Sequence, residues 1–124
     1  MATVGTEAMD PGDALRGISS HDVPLVERLL QLQVENVEAS GLDAATHALV
    51  RLAALVTLDA APASFVRPVR VALESGVTPD DIVGVLIALA PTIGTVKVVG
   101  AARGIALALG VDLETPPEGG EAPA

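Results

Sequence analysis

The segment ALESGVTPDDIVGVLIALAPTIG, residues 72–94, decides the fold because it holds the end of one helix and the whole of the next. Gly76 is the residue type that most often follows a helix C-terminus. Thr78, Pro79 and two aspartates then supply an N-cap, a proline at the first helical position and acids at the positive helix end. The apolar run that follows predicts a helix that ends before Pro91.

The rest of the chain shows further helical patterns and no strand-like alternation. Asp43 is suited to cap the second helix, and Pro68 is tolerated in the third only if that helix starts late, near Ser64. The predicted helices cover about residues 22–39, 43–58, 62–75, 79–90 and 93–109. We therefore predict an all-α fold, a compact bundle of about five to six helices.

The ends of the chain differ in composition from its middle. Residues 1–19 mix Gly, Asp, Thr and Pro without periodicity and are predicted to be a flexible N-terminal arm. Residues 113–124 are rich in Pro, Gly and Glu and are predicted to be a disordered acidic tail. Residues 20–112 form the predicted helical domain. Half of the chain is hydrophobic, mostly as small aliphatic residues, which favours a homo-oligomer that buries more surface between subunits.

The charge distribution excludes several classes of function. The net charge is −9, and the acidic excess lies in residues 1–40 and 112–124, whereas residues 41–111 carry five acids and five bases. We therefore expect no nucleic-acid partner. The longest uncharged run, residues 82–96, is too short to span a membrane, and the N-terminus is unlike a signal peptide, so we expect a cytoplasmic protein without a membrane partner. The absence of cysteine excludes disulfides and thiol chemistry.

Residues 42–111 resemble the carboxymuconolactone decarboxylase and alkylhydroperoxidase D-like superfamily. The order and spacing of several short segments carry this resemblance. They are Leu42-Asp43 before a helix that contains Thr46, ALESG at 72–76, TPDDI at 78–82, and the apolar run 86–91 followed by Gly94. The resemblance implies an alkylhydroperoxidase D-like fold whose helices pack across subunits into trimers or hexamers.

The resemblance also locates four positions where this chain departs from the redox branch of the family. That branch has two cysteines separated by two residues, a histidine four residues later and a glutamate one helix earlier. Counted from the ALESG run, the cysteine positions fall on Ala61 and Ser64, and the histidine position falls on Pro68. The glutamate position falls on or beside Ala48. A peroxidatic site needs a thiolate, so we expect no thiol peroxidase activity.

His47 and Arg51 are the first candidates for the chemistry that remains. They lie four residues apart on the predicted second helix and therefore share a face. A histidine that exchanges a proton, beside a guanidinium that holds a carboxylate, is suited to acid–base work on a small organic anion. The alternative is that His47 is solvated and that Arg51 pairs with Asp59 or with a neighbouring subunit.

Other candidate sites have weaker sequence support. Ser64, Asp59 and His47 supply the residue types of a hydrolase triad, but Ser64 is equally suited to cap a helix. Basic side chains could line an anion pocket or form ion pairs; they are Arg67, Arg70, Lys97 and Arg103. The glycines at 94, 100 and 104 have the wrong spacing for a dinucleotide loop and favour close helix packing. No metal-ligand spacing occurs, and we expect neither a metal nor a cofactor.

Two functional hypotheses follow from these residues. In the first, the protein is a non-catalytic oligomeric scaffold or small-ligand binder with a degenerate active site. In the second, it is a cofactor-free decarboxylase or an enzyme acting on a lactone or small organic acid, with His47 and Arg51 nearest the chemistry. The first is favoured because the four family positions lack their functional groups.

Overall fold

The computed structural model describes residues 9–30 and 36–114, and every regular element in these ranges is a helix. The all-α prediction is therefore confirmed. The helices are α1 Pro11–Ile18, α2 Val23–Leu30, α3 Val37–Ser40, α4 Ala44–Thr57, a 3₁₀ helix Pro62–Phe65, α5 Val66–Glu74, α6 Pro79–Ile93 and α7 Thr95–Leu109. The predicted acidic tail lies outside the described residues from position 115 onward, and so do the first eight residues of the predicted arm.

The chain divides into two compact units, residues 1–47 and 48–124. In the first unit α1 contacts α2. In the second unit α7 is central, because it packs against the 3₁₀ helix, α5 and α6. The predicted domain limits at residues 20 and 112 stay a prediction.

The core of the second unit is small and built from aliphatic side chains around one aromatic ring. Its largest fully buried side chains are those of Phe65, Leu52, Ile82, Val56 and Val69. Each contributes roughly 1.5–3 kcal/mol through removal of apolar surface from water. This burial fixes the second half of α4, the 3₁₀ helix, α5 and α6 as one unit.

The start of α6 forms as the sequence predicts, but its end does not. The Thr78 side chain accepts a hydrogen bond from the Asp81 N–H (3.1 Å), and the Asp81 carboxylate accepts one from the Thr78 N–H (2.9 Å). The prediction that α6 ends before Pro91 is wrong, because the helix continues to Ile93 with Pro91 inside it. Pro91 removes only one hydrogen-bond donor near the C-terminus. The helix ends at Gly94, which has a positive φ of 89°.

The first helices also differ from the sequence prediction. Helix α1 lies where no regular structure was expected; its N-cap Asp10 accepts a hydrogen bond from the Asp13 N–H at 2.8 Å. The single helix predicted over 22–39 is wrong, because Asn36 is not helical and precedes the separate short helix α3. These two differences explain why the described ranges hold seven α-helices rather than five or six.

Pro68 is accommodated as the sequence requires. The 3₁₀ helix takes up residues 62–65, so α5 begins only at Val66 and Pro68 lies in its first turn. A proline in the first turn removes an N–H that has no partner within the helix. Pro68 is one of the buried residues of α5, with Val69 and Ala72.

Candidate functional site

The N-terminus of α4 positions His47. The Asp43 carboxylate accepts a hydrogen bond from the Thr46 backbone N–H at 2.7 Å, and the Asp43 carbonyl accepts one from the His47 N–H at 2.9 Å. The backbone hydrogen bond from Thr46, and then the one from its side chain, lower the pKa of Asp43 below its usual value of 3.8. An ionised aspartate at this position satisfies N–H groups that the helix itself leaves unpaired.

His47 forms a hydrogen bond that the sequence analysis did not predict. Its Nε2 lies 2.8 Å from Oδ1 of Asn36, and both side chains are partly buried. The Asn36 Nδ2 in turn donates to the carbonyl oxygen of Leu30, the last residue of α2, at 3.1 Å. Because that carbonyl can only accept, the amide oxygen of Asn36 must face His47.

This chain of hydrogen bonds determines the tautomer of the neutral imidazole. An amide oxygen only accepts, so Nε2 of His47 must carry the hydrogen. In the neutral imidazole Nδ1 is then the atom that can accept a proton. Asn36 is therefore a positioning residue for His47. Its place in the middle of a predicted helix concealed it, although asparagine commonly occurs where helices begin or break.

The other predicted site residues belong to the second unit. Arg51 follows His47 by one turn of α4 and is half-buried. Asp59 and Ser64 are exposed, and Asp59 has the left-handed backbone conformation (φ 59°). Within the described part of residues 48–124, no hydrogen bond or ion pair joins the side chains of Arg51, Asp59 and Ser64. The alternative in which Arg51 pairs with Asp59 therefore has no such contact in its support, and pairing of Arg51 with a neighbouring subunit stays a prediction.

The four residues at which the resemblance places the redox-branch positions have contrasting environments. Ala61 and Ser64 are exposed and lie one turn apart, with the Ser64 N–H donating to the Ala61 carbonyl at 2.9 Å. Ser64 lies inside the 3₁₀ helix and does not cap a helix, because Ala61 and Phe65 hold the two N-cap positions. Ala48 and Pro68 are buried. None of these four side chains carries a group that ionises near neutral pH.

The basic side chains of the second unit have varied roles. Lys97 donates from Nζ to the carbonyl oxygen of Thr57 at 3.0 Å and thereby satisfies a carbonyl at the end of α4. Arg70 and Arg103 are exposed on α5 and α7. Within residues 9–30 and 36–114 no three His, Asp or Glu side chains are grouped closely enough to hold a metal ion.

The sequence model of the carboxymuconolactone decarboxylase family matches residues 24–108, which is more than half of the chain. The chain belongs to this family. Searches of curated proteins and of solved structures returned no match.

Membership in the carboxymuconolactone decarboxylase family agrees with the helices of the described ranges. The matched range begins in α2 and ends in α7, so it includes Asn36, His47 and all four positions discussed above. The chain contains no cysteine, so it has no pair of cysteines of the kind found in the family's redox branch. Among the helices of the described ranges, none combines the length and apolar character needed to cross a membrane.

Proposed function

We propose that this carboxymuconolactone decarboxylase-like protein is a non-catalytic, cytoplasmic homo-oligomer that acts as a scaffold or as a binder of small organic anions. The observation that carries the proposal is the chemistry of the four family positions. Ala48, Ala61 and Pro68 hold no nucleophile, acid or base, and Ser64 is exposed with no base hydrogen-bonded to it within the described residues. An isolated serine hydroxyl is a weak nucleophile.

The exposed apolar residues support the assembly part of this proposal. Large hydrophobic side chains that water still reaches include Val83, Ile87, Val96 and Val99, which are between 50% and 87% exposed. Surfaces of this kind are typical of contacts between subunits. The family resemblance implies trimers or hexamers, which agrees with this expectation.

Two measurements test the proposal. Light scattering on the full chain should give the mass of a trimer or a larger assembly, whereas the mass of a monomer would exclude the scaffold role. Decarboxylation of a panel of small lactones and organic acids, followed by release of carbon dioxide, should not exceed the buffer blank. Thermal unfolding in the presence of the same acids tests the binding role. An acid that binds only the folded state should raise the Tm.

The alternative is a cofactor-free enzyme in which His47 is the acid–base group and Arg51 holds a carboxylate. The hydrogen bond between His47 and Asn36 favours it, because a half-buried imidazole with a fixed tautomer is prepared for proton transfer. Under this alternative, His47→Gln and Arg51→Lys should each lower turnover of any accepted substrate by tenfold or more.

His21→Gln is the matched control for this alternative, because His21 is the only other histidine and is exposed. Its turnover should equal that of the unmodified chain. Equal losses in His21→Gln and His47→Gln would exclude a specific catalytic role for His47. Turnover that survives both His47→Gln and Arg51→Lys would exclude the pair as the site.

A further inference from the structure

The buried side chains of the described ranges all belong to the second unit. The buried apolar residues lie between Ala48 and Ile105. Among the described side chains up to and including His47, every one is exposed or only partly buried. The free energy needed to open a segment depends on the apolar surface that the segment buries. The two units therefore differ in the property that determines local stability.

The helices of the first unit are also too short to be stable by themselves. Helices α1 and α2 have eight residues each, and α3 has four. Isolated helices shorter than about 12–15 residues are marginal in water, so these three depend on packing. In α2, Leu25, Val26 and Leu30 are partly buried, whereas Leu15 of α1 is 65% exposed. Partial burial alone therefore stabilises the helices of the first unit.

Two side-chain hydrogen bonds join separate segments of the first unit. Asn36 donates from Nδ2 to the carbonyl oxygen of Leu30 at 3.1 Å, and its Oδ1 lies 2.8 Å from Nε2 of His47. We call this pair of bonds the Asn36 latch. It connects the end of α2 to the first turn of α4. Because both bonds are made by one side chain, separation of these segments breaks the latch.

We propose that α1, α2 and α3 open together while α5, α6 and α7 stay folded, and that the Asn36 latch holds the opening segment closed. The inference goes beyond the proposed function, because it applies equally to a scaffold, a binder and an enzyme. Opening separates Nε2 of His47 from its only acceptor in the latch. The state of the first unit therefore decides whether the imidazole is held in one tautomer.

Hydrogen exchange of two matched backbone amides tests the opening. The Val26 N–H donates to the Asp22 carbonyl at 2.8 Å. The Ile82 N–H donates to the Thr78 carbonyl at 3.1 Å. Both amides belong to β-branched residues at the fourth position of their helices. We expect Val26 to exchange about 100-fold faster or more, after correction for intrinsic rates, because only Ile82 is fully buried.

Limited proteolysis of the full chain gives an independent readout. Trypsin cleaves after lysine and arginine, and both units have exposed sites inside helices. They are Arg16 and Arg28 in the first unit and Arg70, Lys97 and Arg103 in the second. Cleavage inside a helix requires that the helix opens. Relative to the unfolded chain, the two sites in the first unit should be cleaved about tenfold faster or more than the other three.

Asn36→Leu removes both bonds of the latch and tests its role. It should raise the exchange rate of the Val26 amide further, by about tenfold or more, and leave that of Ile82 unchanged. The matched control is Ser40→Ala. The Ser40 hydroxyl also donates a hydrogen bond, to the Val37 carbonyl at 2.6 Å, but this bond stays within α3. The control should change the exchange rate of Val26 by less than about threefold.

The outcomes decide between separate and joint opening. Equal protection of Val26 and Ile82, or cleavage that begins in the second unit, would overturn the opening of the first unit by itself. An Asn36→Leu chain in which Val26 exchanges as before, or in which both amides exchange faster by the same factor, would overturn the latch. Neither readout measures assembly mass or turnover, so failure here leaves the proposed function standing.

Discussion

Gly104 of α7 lies so close to Phe65 that a Cβ added at position 104 would meet Cδ2 of the ring at 2.9 Å and Cα of Pro62 at 3.1 Å. The phenylalanine ring is buried in the core, and the proline atom is part of the backbone. Neither can move without disturbing the packing of α7 on the 3₁₀ helix. This contact sets the distance between α7 and the segment that contains Ala61 and Ser64.

We predict that Gly104→Ala destabilises the folded chain. The added methyl group overpacks the contact with Phe65, and such changes cost about 1–3 kcal/mol of unfolding free energy. Because the added Cβ would meet a core ring at 2.9 Å and a backbone atom at 3.1 Å, we expect the upper part of this range, of which the gain in helix propensity offsets about 1 kcal/mol. Urea unfolding at fixed protein concentration, followed by circular dichroism, measures the difference.

Gly100→Ala is the matched control on the same helix. Its added Cβ would lie 3.9 Å from a carboxylate oxygen of Asp59, which is an ordinary contact distance. We expect this variant to be as stable as the unmodified chain or up to about 1 kcal/mol more stable. Equal stability of Gly104→Ala and Gly100→Ala would contradict the role assigned to Gly104.

These two glycines illustrate what the sequence can predict about this fold. Their spacing predicts that they share a helix face, but only the tertiary structure shows that Gly104 alone is needed for close packing. Local signals were reliable where the whole interaction is local, as in the reciprocal hydrogen bonds of Thr78 and Asp81. They were unreliable at the end of α6, because the helix continues through Pro91 and ends at Gly94.

The candidate site shows the same division. The sequence singled out His47 from its residue type and its spacing to Arg51. It did not find Asn36, because the hydrogen bond joins positions eleven residues apart, with the short helix α3 between them. The predicted site residues in the second unit were grouped by their side-chain chemistry alone. Spacing along the chain does not determine whether the side chains of Asp59 and Ser64 lie close together in the fold.

We predict that Asp43 makes the stability of the folded chain depend on acid pH. Its pKa is lowered on folding, so its ionised form stabilises the folded state above the usual pKa of 3.8. This contribution is lost as the pH falls through the lowered pKa of the folded state. Asp43→Asn retains a good N-cap but does not titrate. The difference in unfolding free energy between the two proteins should therefore be largest near neutral pH and shrink in acid.

Urea unfolding of both proteins between about pH 6 and pH 2.5 checks this dependence. Asp22→Asn is a control. The Asp22 carboxylate also accepts a backbone hydrogen bond, from the Leu25 N–H, but it does so at the N-terminus of α2 rather than at that of α4. A difference between Asp43→Asn and the unmodified chain that stays constant, or grows as the pH falls, would contradict the assignment.

The hydrogen bond from His47 to Asn36 predicts a single imidazole tautomer. At a pH where the imidazole is neutral, long-range ¹H–¹⁵N spectra should show the hydrogen on Nε2 of His47. Asn36→Leu removes the acceptor and should give a mixture of tautomers. Exposed His21, which forms no such bond within the described residues, is the internal reference in the same spectrum. A hydrogen found on Nδ1 of His47 would reverse the orientation assigned to Asn36.

The last prediction concerns peroxide. The unmodified chain should consume none above the buffer blank, because it has no thiol to be oxidised. The double variant Ala61→Cys, Ser64→Cys introduces two exposed thiols one turn apart, yet we expect no efficient turnover with a dithiol reductant. Pro68 provides no base and Ala48 no acid, so the new thiols should keep pKa values near the ordinary value of about 8.5. Rapid peroxide reduction by the double variant would show that the fold alone activates a thiol at these positions, and consumption by the unmodified chain would refute the placement of the redox motif.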